Sequence, residues 1–377
     1  MKIGPNSAPD SREIRPLTGI RGFAAVWIVL YHFYASWGIL LPSLQAGVSL
    51  ASRGYLGVDL FFILSGFILS YVYGAGDANA RFGPADYGRF LWFRLARVLP
   101  NHIATLAILA MLVAAAPLVG IAVQGDYPLS GLPFQVTMIH AWPFVHGGAW
   151  NYPSWALSAE WFAYLCIFPA VWHLLRLRFG ATASLVIGYA VLALWLFVLS
   201  AIPVPSWFPL LQVSCEFIAG GMFYCAYSQG SRVMGACQRC ASALFVMVLG
   251  ISWFYPANGR FASPIIVLLF PALLLGLTSG TSRLSRLLGS WPALWFGRMS
   301  YALYMSHAIA QKVLKVVLPP RQYMTSPLFV RLLLLFANGL LILLFAVGLY
   351  YAVEIPARNY LRRMSTRGPH RTAKPGA

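Results

Sequence analysis

Two ionisable side chains, Arg21 and His32, lie inside an apolar stretch that is long enough to cross a membrane. Ionisable groups at that depth are costly and are found with a partner, in an aqueous cavity or in a functional role. The two residues are eleven positions apart, about three helical turns, so both face the same way and are separated by about 16 Å along the axis. Singly they are explained by a snorkelling arginine and a hydrogen-bonded histidine, but together they predict a polar passage.

A second pair of arginines, Arg94 and Arg97, lies in the segment FRLARVLP, before another long apolar stretch. Their three-residue spacing places both on one face of a helix. Guanidinium forks suit phosphate oxygens, and this segment contains no acidic residue to neutralise them. The alternative for such a pair is simple anchoring of a cytoplasmic loop by positive charge.

A carboxylate, Glu160, stands near the start of a later apolar stretch, in the segment YPSWALSAEWFAY. Tyr164 follows one helical turn later on the same face, and Ser158 lies half a turn before Glu160. We expect Glu160 near the outer surface, at the opposite end of the protein from the arginine pair. Its plain structural explanation is a carboxylate that stabilises a helix N terminus.

The elements that must position these residues are membrane helices. Of the 377 residues, 59% are hydrophobic and only 10% are charged, whereas a soluble domain is usually about a quarter charged. Apolar runs of about 20 residues recur along the chain, each long enough to span the hydrocarbon core. They predict an all-α polytopic membrane protein with about ten helices, near 16–39, 55–73, 101–123, 155–175, 181–202, 208–228, 239–255, 262–278, 293–318 and 332–355.

The formal net charge of +18 reflects membrane topology, and we expect no nucleic-acid partner. Alternating the loops between the two sides puts 20 basic residues on one side and six on the other. The positive-inside rule then places both termini in the cytoplasm. We predict a cytoplasmic segment at 1–15, a transmembrane domain at 16–355 and a basic cytoplasmic tail at 356–377.

Five cysteines include a single C-x-x-C pair, Cys237 and Cys240, with no second pair of ligands nearby. A zinc or redox role would require such ligands, so packing within a helix is the favoured interpretation. We expect no metal ion.

Six segments, in order along the chain, resemble the acyltransferase-3 family of integral membrane acyltransferases. The resemblance rests on Arg21 to His32, GYLGVDLFFILSGFILS (54–70), FRLARVLP (93–100), SWALSAEWFAY (154–164), GRMSYALYMSH (297–307) and VEIPARNYLRR (353–363). Trp161 departs from the pattern because the family usually has a second glutamate there. A mechanism that needs two carboxylates at this point is therefore not expected, which leaves Glu160 alone.

The resemblance implies transfer of an acyl group, usually acetyl, from acetyl-CoA or another acyl-CoA to a hydroxyl group. Expected acceptors are carbohydrates or glycolipids of the bacterial cell envelope, such as lipopolysaccharide or exopolysaccharide, at the inner membrane. A fused esterase domain of the SGNH type is not expected. In this scheme Arg94, Arg97 and Arg21 hold the coenzyme on the cytoplasmic side, and the acceptor enters from outside near Glu160, Tyr164, Ser158 and Trp155.

His32 is the best candidate for a general base, because a neutral imidazole is available near pH 7 to take a hydroxyl proton. An acyl-histidine intermediate is the less favoured variant. Arg21 would stabilise the thioester oxyanion or hold the coenzyme. For Asp59 two roles stay open: it orients His32, or it is a buried structural acid paired with an arginine.

Two other functions compete with this one. A many-span protein with buried charges is also compatible with a non-catalytic glycolipid transporter or flippase. The second alternative is an O-acyltransferase that acts on a small molecule such as a macrolide. Acyl chain length, acceptor identity and oligomeric state are not encoded in any pattern of the sequence.

Overall fold

The computed structural model describes residues 13–43, 48–74, 83–123, 127–145, 150–177, 179–203, 206–230, 232–255 and 261–366. Within these ranges every regular element is helical. The predicted segment 1–15 and tail 356–377 extend into the residues outside them, namely 1–12 and 367–377.

Ten long helices correspond to the predicted spans, and an eleventh continues from the last of them. They are α1 (Arg15–Leu40), α2 (Leu56–Gly74), α3 (Pro84–Ala115), α4 (Ser154–Arg176), α5 (Ala181–Val198), α6 (Phe208–Ser228), α7 (Arg232–Phe254), α8 (Ala262–Leu277), α9 (Trp291–Val317), α10 (Leu328–Gly348) and α11 (Ile355–Thr366). Eight helical segments in the described ranges are long and apolar enough to cross a membrane. The predicted all-α polytopic membrane protein is therefore confirmed.

The third helix begins much earlier than the sequence pattern predicted. We expected it near residue 101, but α3 starts at Pro84. Proline suits the first turn of a helix, and the Asp86 carboxylate accepts a hydrogen bond from the Gly83 N–H at 3.2 Å. The arginines lower the hydropathy of the first turns, although arginine favours a helix. Pro100 interrupts the apolar pattern but does not end the helix.

Helices α1 and α9 pack so closely that glycine is required at their crossing. A methyl group added at Gly297 would lie 2.0 Å from the Thr18 carbonyl oxygen, and one at Gly22 would lie 2.8 Å from the Gly297 nitrogen. Small residues allow such close backbone contact between membrane helices. This contact fixes α1, which carries Arg21 and His32, against α9.

A second close crossing joins α2 and α6. A methyl group at Gly66 would lie 2.1 Å from the Phe217 carbonyl oxygen, and one at Gly220 would lie 2.1 Å from the Ile63 carbonyl oxygen. The start of α2 is likewise held against α1, because a methyl group at Gly54 would lie 2.0 Å from the Trp27 carbonyl oxygen. Helices α1, α2, α6 and α9 therefore form one interlocked group.

The two ends of the helix bundle differ in composition. At one end, here called the basic end, the N terminus of α1 meets the first turns of α9 through the Glu13–Arg298 ion pair at 3.0 Å. Partial burial raises the pKa of the Glu13 carboxyl, but hydrogen bonds from Arg298 and Thr18 outweigh this and hold that pKa below its ordinary value. At the other end, here called the loop end, residues 127–145 and 150–153 cover the helix ends, and Lys312 donates a hydrogen bond to the Tyr127 hydroxyl.

Candidate active site

A cavity opens among α1, α2, α3, α4 and α9. Its wall combines apolar side chains with a cluster of polar ones. The polar residues that line it are Arg21, Ser65, Arg94, Arg97, Glu160, Tyr164, Ser300, Tyr301 and Tyr304. The arginine pair and Arg21 therefore face one common space, and their predicted role in holding the coenzyme stays a prediction.

The three cavity arginines have little to neutralise them. Arg94 lies over the Phe90 ring, 5.9 Å from its centroid. None of Arg21, Arg94 and Arg97 forms a hydrogen bond or an ion pair of 4 Å or less with any residue that the structure describes. Guanidinium groups in this state are suited to bind an anionic ligand.

A carboxylate missed by the sequence analysis lies behind these arginines. Glu354 is buried and accepts a hydrogen bond from the Asn101 amide at 2.7 Å. Its other oxygen lies 3.6 Å from the guanidinium of Arg358 on α11. Arg97 and Arg21 are also within electrostatic range of Glu354. This buried carboxylate therefore ties α11 to α3 at the rear of the cavity.

The expectation that Glu160 lies at the opposite end from the arginines is wrong. Glu160 lines the same cavity as Arg94 and Arg97, and its Oε1 accepts hydrogen bonds from Ser65 at 2.6 Å and Tyr164 at 2.5 Å. A helical position specifies depth along the axis but not which neighbouring helices share the space. Because the cavity extends far up the bundle, Glu160 faces the space that the arginines open into.

Two further residues predicted at the acceptor site do not line the cavity. Ser158 is fully buried, and its hydroxyl accepts a hydrogen bond from the Ala141 N–H at 3.0 Å. Trp155 is half-buried and packs edge-on against Phe62, with the ring centroids 6.3 Å apart. Ser158 connects the loop end to α4, and an acceptor role for either residue stays a prediction.

Asp59 is a buried acid, as one of its two expected roles requires, but its neighbours are not the expected ones. Asp59 is buried against α6, where it accepts a hydrogen bond from the Gln212 amide at 3.3 Å and lies beside the Glu216 carboxyl. Neither His32 nor an arginine is among its hydrogen-bonding or ion-pair partners in the described part of the chain. The sequence patterns did not predict this contact because Gln212 and Glu216 belong to a helix far along the chain.

His32 lies outside the cavity, in a cluster of rings near the loop end. Its ring centroid is 4.7 Å from that of Tyr152 and 5.0 Å from that of His307, on which it stacks. The Gln311 amide donates a hydrogen bond to the His32 carbonyl oxygen at 2.5 Å. The His32 ring is half-buried and has no hydrogen-bond partner among the described residues, so both of its nitrogens are available.

The second histidine of this cluster has a defined tautomer. Nδ1 of His307 lies 2.7 Å from the Tyr304 carbonyl oxygen, and because a carbonyl can only accept, this nitrogen carries the proton. Nε2 is then the unprotonated nitrogen, and it is buried without a partner. His307 is fully buried, and its ring packs against the His32 ring from the α9 side.

Tyr304 separates the cavity from the histidine cluster. It lines the cavity on one side, and its ring centroid is 5.9 Å from that of His307 on the other. Its hydroxyl donates a hydrogen bond to the Pro153 carbonyl oxygen at 2.8 Å, and Phe61 packs edge-on against its ring. The polar passage predicted along α1 is therefore interrupted by one tyrosine between Arg21 and His32.

The site residues that the sequence analysis did not assign lie in segments it had already noted. His307 and Tyr304 belong to GRMSYALYMSH, and Glu354 and Arg358 belong to VEIPARNYLRR. The spacing of Tyr304 and His307 along one helix could have indicated a shared face. The pairing of Glu354 with Asn101 could not, because 253 residues separate them.

Comparison with known proteins identifies the family of the chain. A family model described as an acyltransferase domain, of the acyltransferase-3 type, matches residues 15–353. The chain is 29% identical to acyltransferase MdmB of Streptomyces mycarofaciens over 175 residues, which are 45% of this chain and 41% of that protein.

Two other relatives are matched over shorter segments. Protein 2 in the picA locus of Rhizobium radiobacter is 38% identical over 105 residues, 28% of this chain and 48% of that protein. O-acetyltransferase OatA of Staphylococcus aureus is 36% identical over 59 residues, 16% of this chain and 8% of that protein. The chain spans less than half the length of each of these three relatives. No solved structure matches it.

Proposed function

We propose a function for this chain, which belongs to the acyltransferase-3 family, as its six segments predicted. It transfers an acyl group from acyl-CoA to a hydroxyl group of a carbohydrate or glycolipid. The donor is acetyl-CoA or a close analogue, and the acceptor is an envelope or exported glycan. The basic end faces the cytoplasm of a bacterial cell and the loop end faces outward across the inner membrane. The 20-to-6 distribution of basic residues supports this orientation.

The basic end carries the donor. Arg94, Arg97 and Arg21 line the cavity without hydrogen-bonding partners among the described residues, and phosphate oxygens satisfy such groups with charge-assisted hydrogen bonds. The pantetheine arm of the donor then extends along α1 towards Tyr304. This use of the arginines explains why they are clustered although like charges repel.

The loop end carries the acceptor. His32 is half-buried there and lies close enough to the exposed Lys315 for the two to interact electrostatically. Tyr152 beside it offers an aromatic face on which a sugar ring can stack. Donor and acceptor thus approach the histidine cluster from opposite ends of the protein.

The proposed reaction is direct transfer with His32 as the general base. The imidazole takes the proton of the acceptor hydroxyl, whose oxygen forms a bond to the thioester carbonyl carbon. The carbon–sulfur bond then breaks, and the leaving thiolate takes the proton from the imidazolium, giving the ester and free CoA. Arg21 lies about 16 Å from His32 along α1, so its role here is to hold the donor and not the oxyanion.

One observation carries this proposal: a helix that presents an unpartnered Arg21 to a cavity at one end and an unpartnered His32 ring at the other. The test is release of free thiol from acetyl-CoA by the purified protein in lipid nanodiscs. It is paired with mass spectrometry of envelope glycans from deleted and complemented cells. Acyl groups lost on deletion and restored by the gene support the proposal. Unchanged glycan acylation together with no thiol release would favour a non-catalytic transporter.

A further inference from the structure

We infer that α11 forms part of the donor site, and that Arg362 on this helix binds the 3′-phosphate of CoA. The inference rests on the proposed function and extends it to a helix that follows the last membrane span. Sequence reasoning had assigned this region to the basic tail.

Helix α11 is fastened against the helix that carries the arginine pair. The Trp92 indole N–H donates a hydrogen bond to the Leu361 carbonyl oxygen at 2.9 Å. The Arg362 guanidinium lies over the Phe93 ring, 5.9 Å from its centroid. These contacts put Arg362 within electrostatic range of Arg94 and Arg97.

Several positively charged arginine side chains therefore lie close together. Three arginines line this end of the cavity and two more lie behind its wall, and the carboxylates near them in the described residues are Glu354 and Glu160. The lining arginines are Arg21, Arg94 and Arg97, and the other two are Arg358 and Arg362. The Nε atoms of Arg94, Arg358 and Arg362 are buried without a hydrogen-bond partner. Bringing such groups together is unfavourable unless a ligand with several negative charges binds between them.

The distribution of the arginines selects the class of ligand. Arg94 and Arg97 line the cavity, whereas Arg362 lies beyond its wall and nearer the basic end. CoA has the same order of charges, because its diphosphate joins the pantetheine arm and its 3′-phosphate lies farther from the thioester. A pantetheine thioester without the nucleotide would leave Arg362 without an anion.

The test compares CoA with dephospho-CoA, which lacks only the 3′-phosphate. Binding of each is measured by calorimetry for the full chain in nanodiscs. Arg362→Ala should weaken CoA binding about tenfold or more and change dephospho-CoA binding less than twofold. The matched control is Arg363→Ala, which removes an exposed arginine from the next position of the same helix and should leave both affinities unchanged.

Three outcomes would overturn the assignment. Equal CoA affinity in Arg362→Ala and the wild type would remove Arg362 from the site. Equal weakening of CoA and dephospho-CoA would separate it from the 3′-phosphate. A wild-type protein that binds neither compound would overturn the proposed function itself. Thermal unfolding of each variant, with Arg362→Lys as a second substitution that keeps the charge, shows that binding changes are not loss of fold.

Discussion

The two ends of α1 lie in chemically different surroundings. Around Arg21 the positively charged arginines outnumber the nearby carboxylates, and a cavity lies between them. Around His32 aromatic and imidazole rings are in mutual contact, Gln311 and Tyr304 make hydrogen bonds to backbone carbonyls, and the charged neighbour, Lys315, is exposed. An excess of positive charge suits capture of a polyanion, whereas a packed imidazole with free nitrogens suits transfer of a proton.

The two histidines also differ, in how accessible each ring is. His307 is fully buried with its proton fixed by the Tyr304 carbonyl, whereas His32 is half-buried and open towards the loop end. A base must reach the proton that it removes. The difference in access supports the proposal that His32 is the base, and it suits His307 to a positioning role.

The largest effect is expected at His32. His32→Ala should lower acyl transfer by about 10²–10⁴-fold, the usual contribution of a general base. Its CoA affinity should stay near the wild-type value, because the arginines lie at the other end of α1. Turnover by thiol release and affinity by calorimetry measure the two separately. A His32→Gln protein that keeps normal activity would make His32 a packing residue.

The next largest effect is expected at the arginine pair, and it should appear mainly in CoA affinity and much less in turnover. Arg94→Ala and Arg97→Ala should each weaken CoA binding by roughly 1.5–3 kcal/mol, the contribution of a charge-assisted hydrogen bond. Turnover at saturating donor should fall much less. Wild-type affinity in both variants would return these arginines to the role of membrane anchors.

A smaller effect is expected at His307, and it sharpens the distinction between the histidines. His307→Asn removes the ring that stacks on His32, and we expect turnover to fall about tenfold, equivalent to about 1.4 kcal/mol, with CoA affinity unchanged. The same thiol-release assay applies to both histidine variants. A greater loss in His307→Asn than in His32→Ala would transfer the role of base to His307.

The smallest effect on turnover is expected at Ser158. Ser158→Ala leaves the Ala141 N–H without its hydrogen bond and should destabilise the protein by about 1–3 kcal/mol. Because Ser158 lies outside both the cavity and the histidine cluster, turnover should stay within twofold. Thermal unfolding in nanodiscs measures the first quantity. A loss of acceptor affinity without loss of stability would instead support the predicted role of Ser158 in acceptor binding.

Local patterns predicted what depends on one helix at a time. Hydropathy found the helices because about 20 apolar residues are needed to cross the bilayer, and periodicity placed Arg94 beside Arg97. The start of α3 was missed because the charged residues of its first four turns lower the hydropathy there: Asp86 and Arg89 are exposed, and Arg94 and Arg97 line the cavity.

Contacts between distant segments were beyond such patterns. Glu160 was assigned to the wrong surroundings because depth in the membrane does not specify which helices share a space. Asp59 was matched with His32 or an arginine because ionisable residues were paired by type, whereas its partner Gln212 is a neutral residue 153 positions away.

The glycine contacts between helices have a consequence for how the protein can move. Transporters that alternate their access rock one bundle against another around a central site. Here α1 touches α9 at Gly297, the turn before α2 touches α1 at Gly54, and α6 touches α2 at Gly66, each through the backbone. A side chain larger than hydrogen at any of these positions would collide with the facing backbone, so these four helices are closely interlocked. Under the proposed function, the thioester therefore reaches His32 by displacement of a side chain such as Tyr304 and not by rocking of whole helices, so the membrane would stay sealed during acyl transfer.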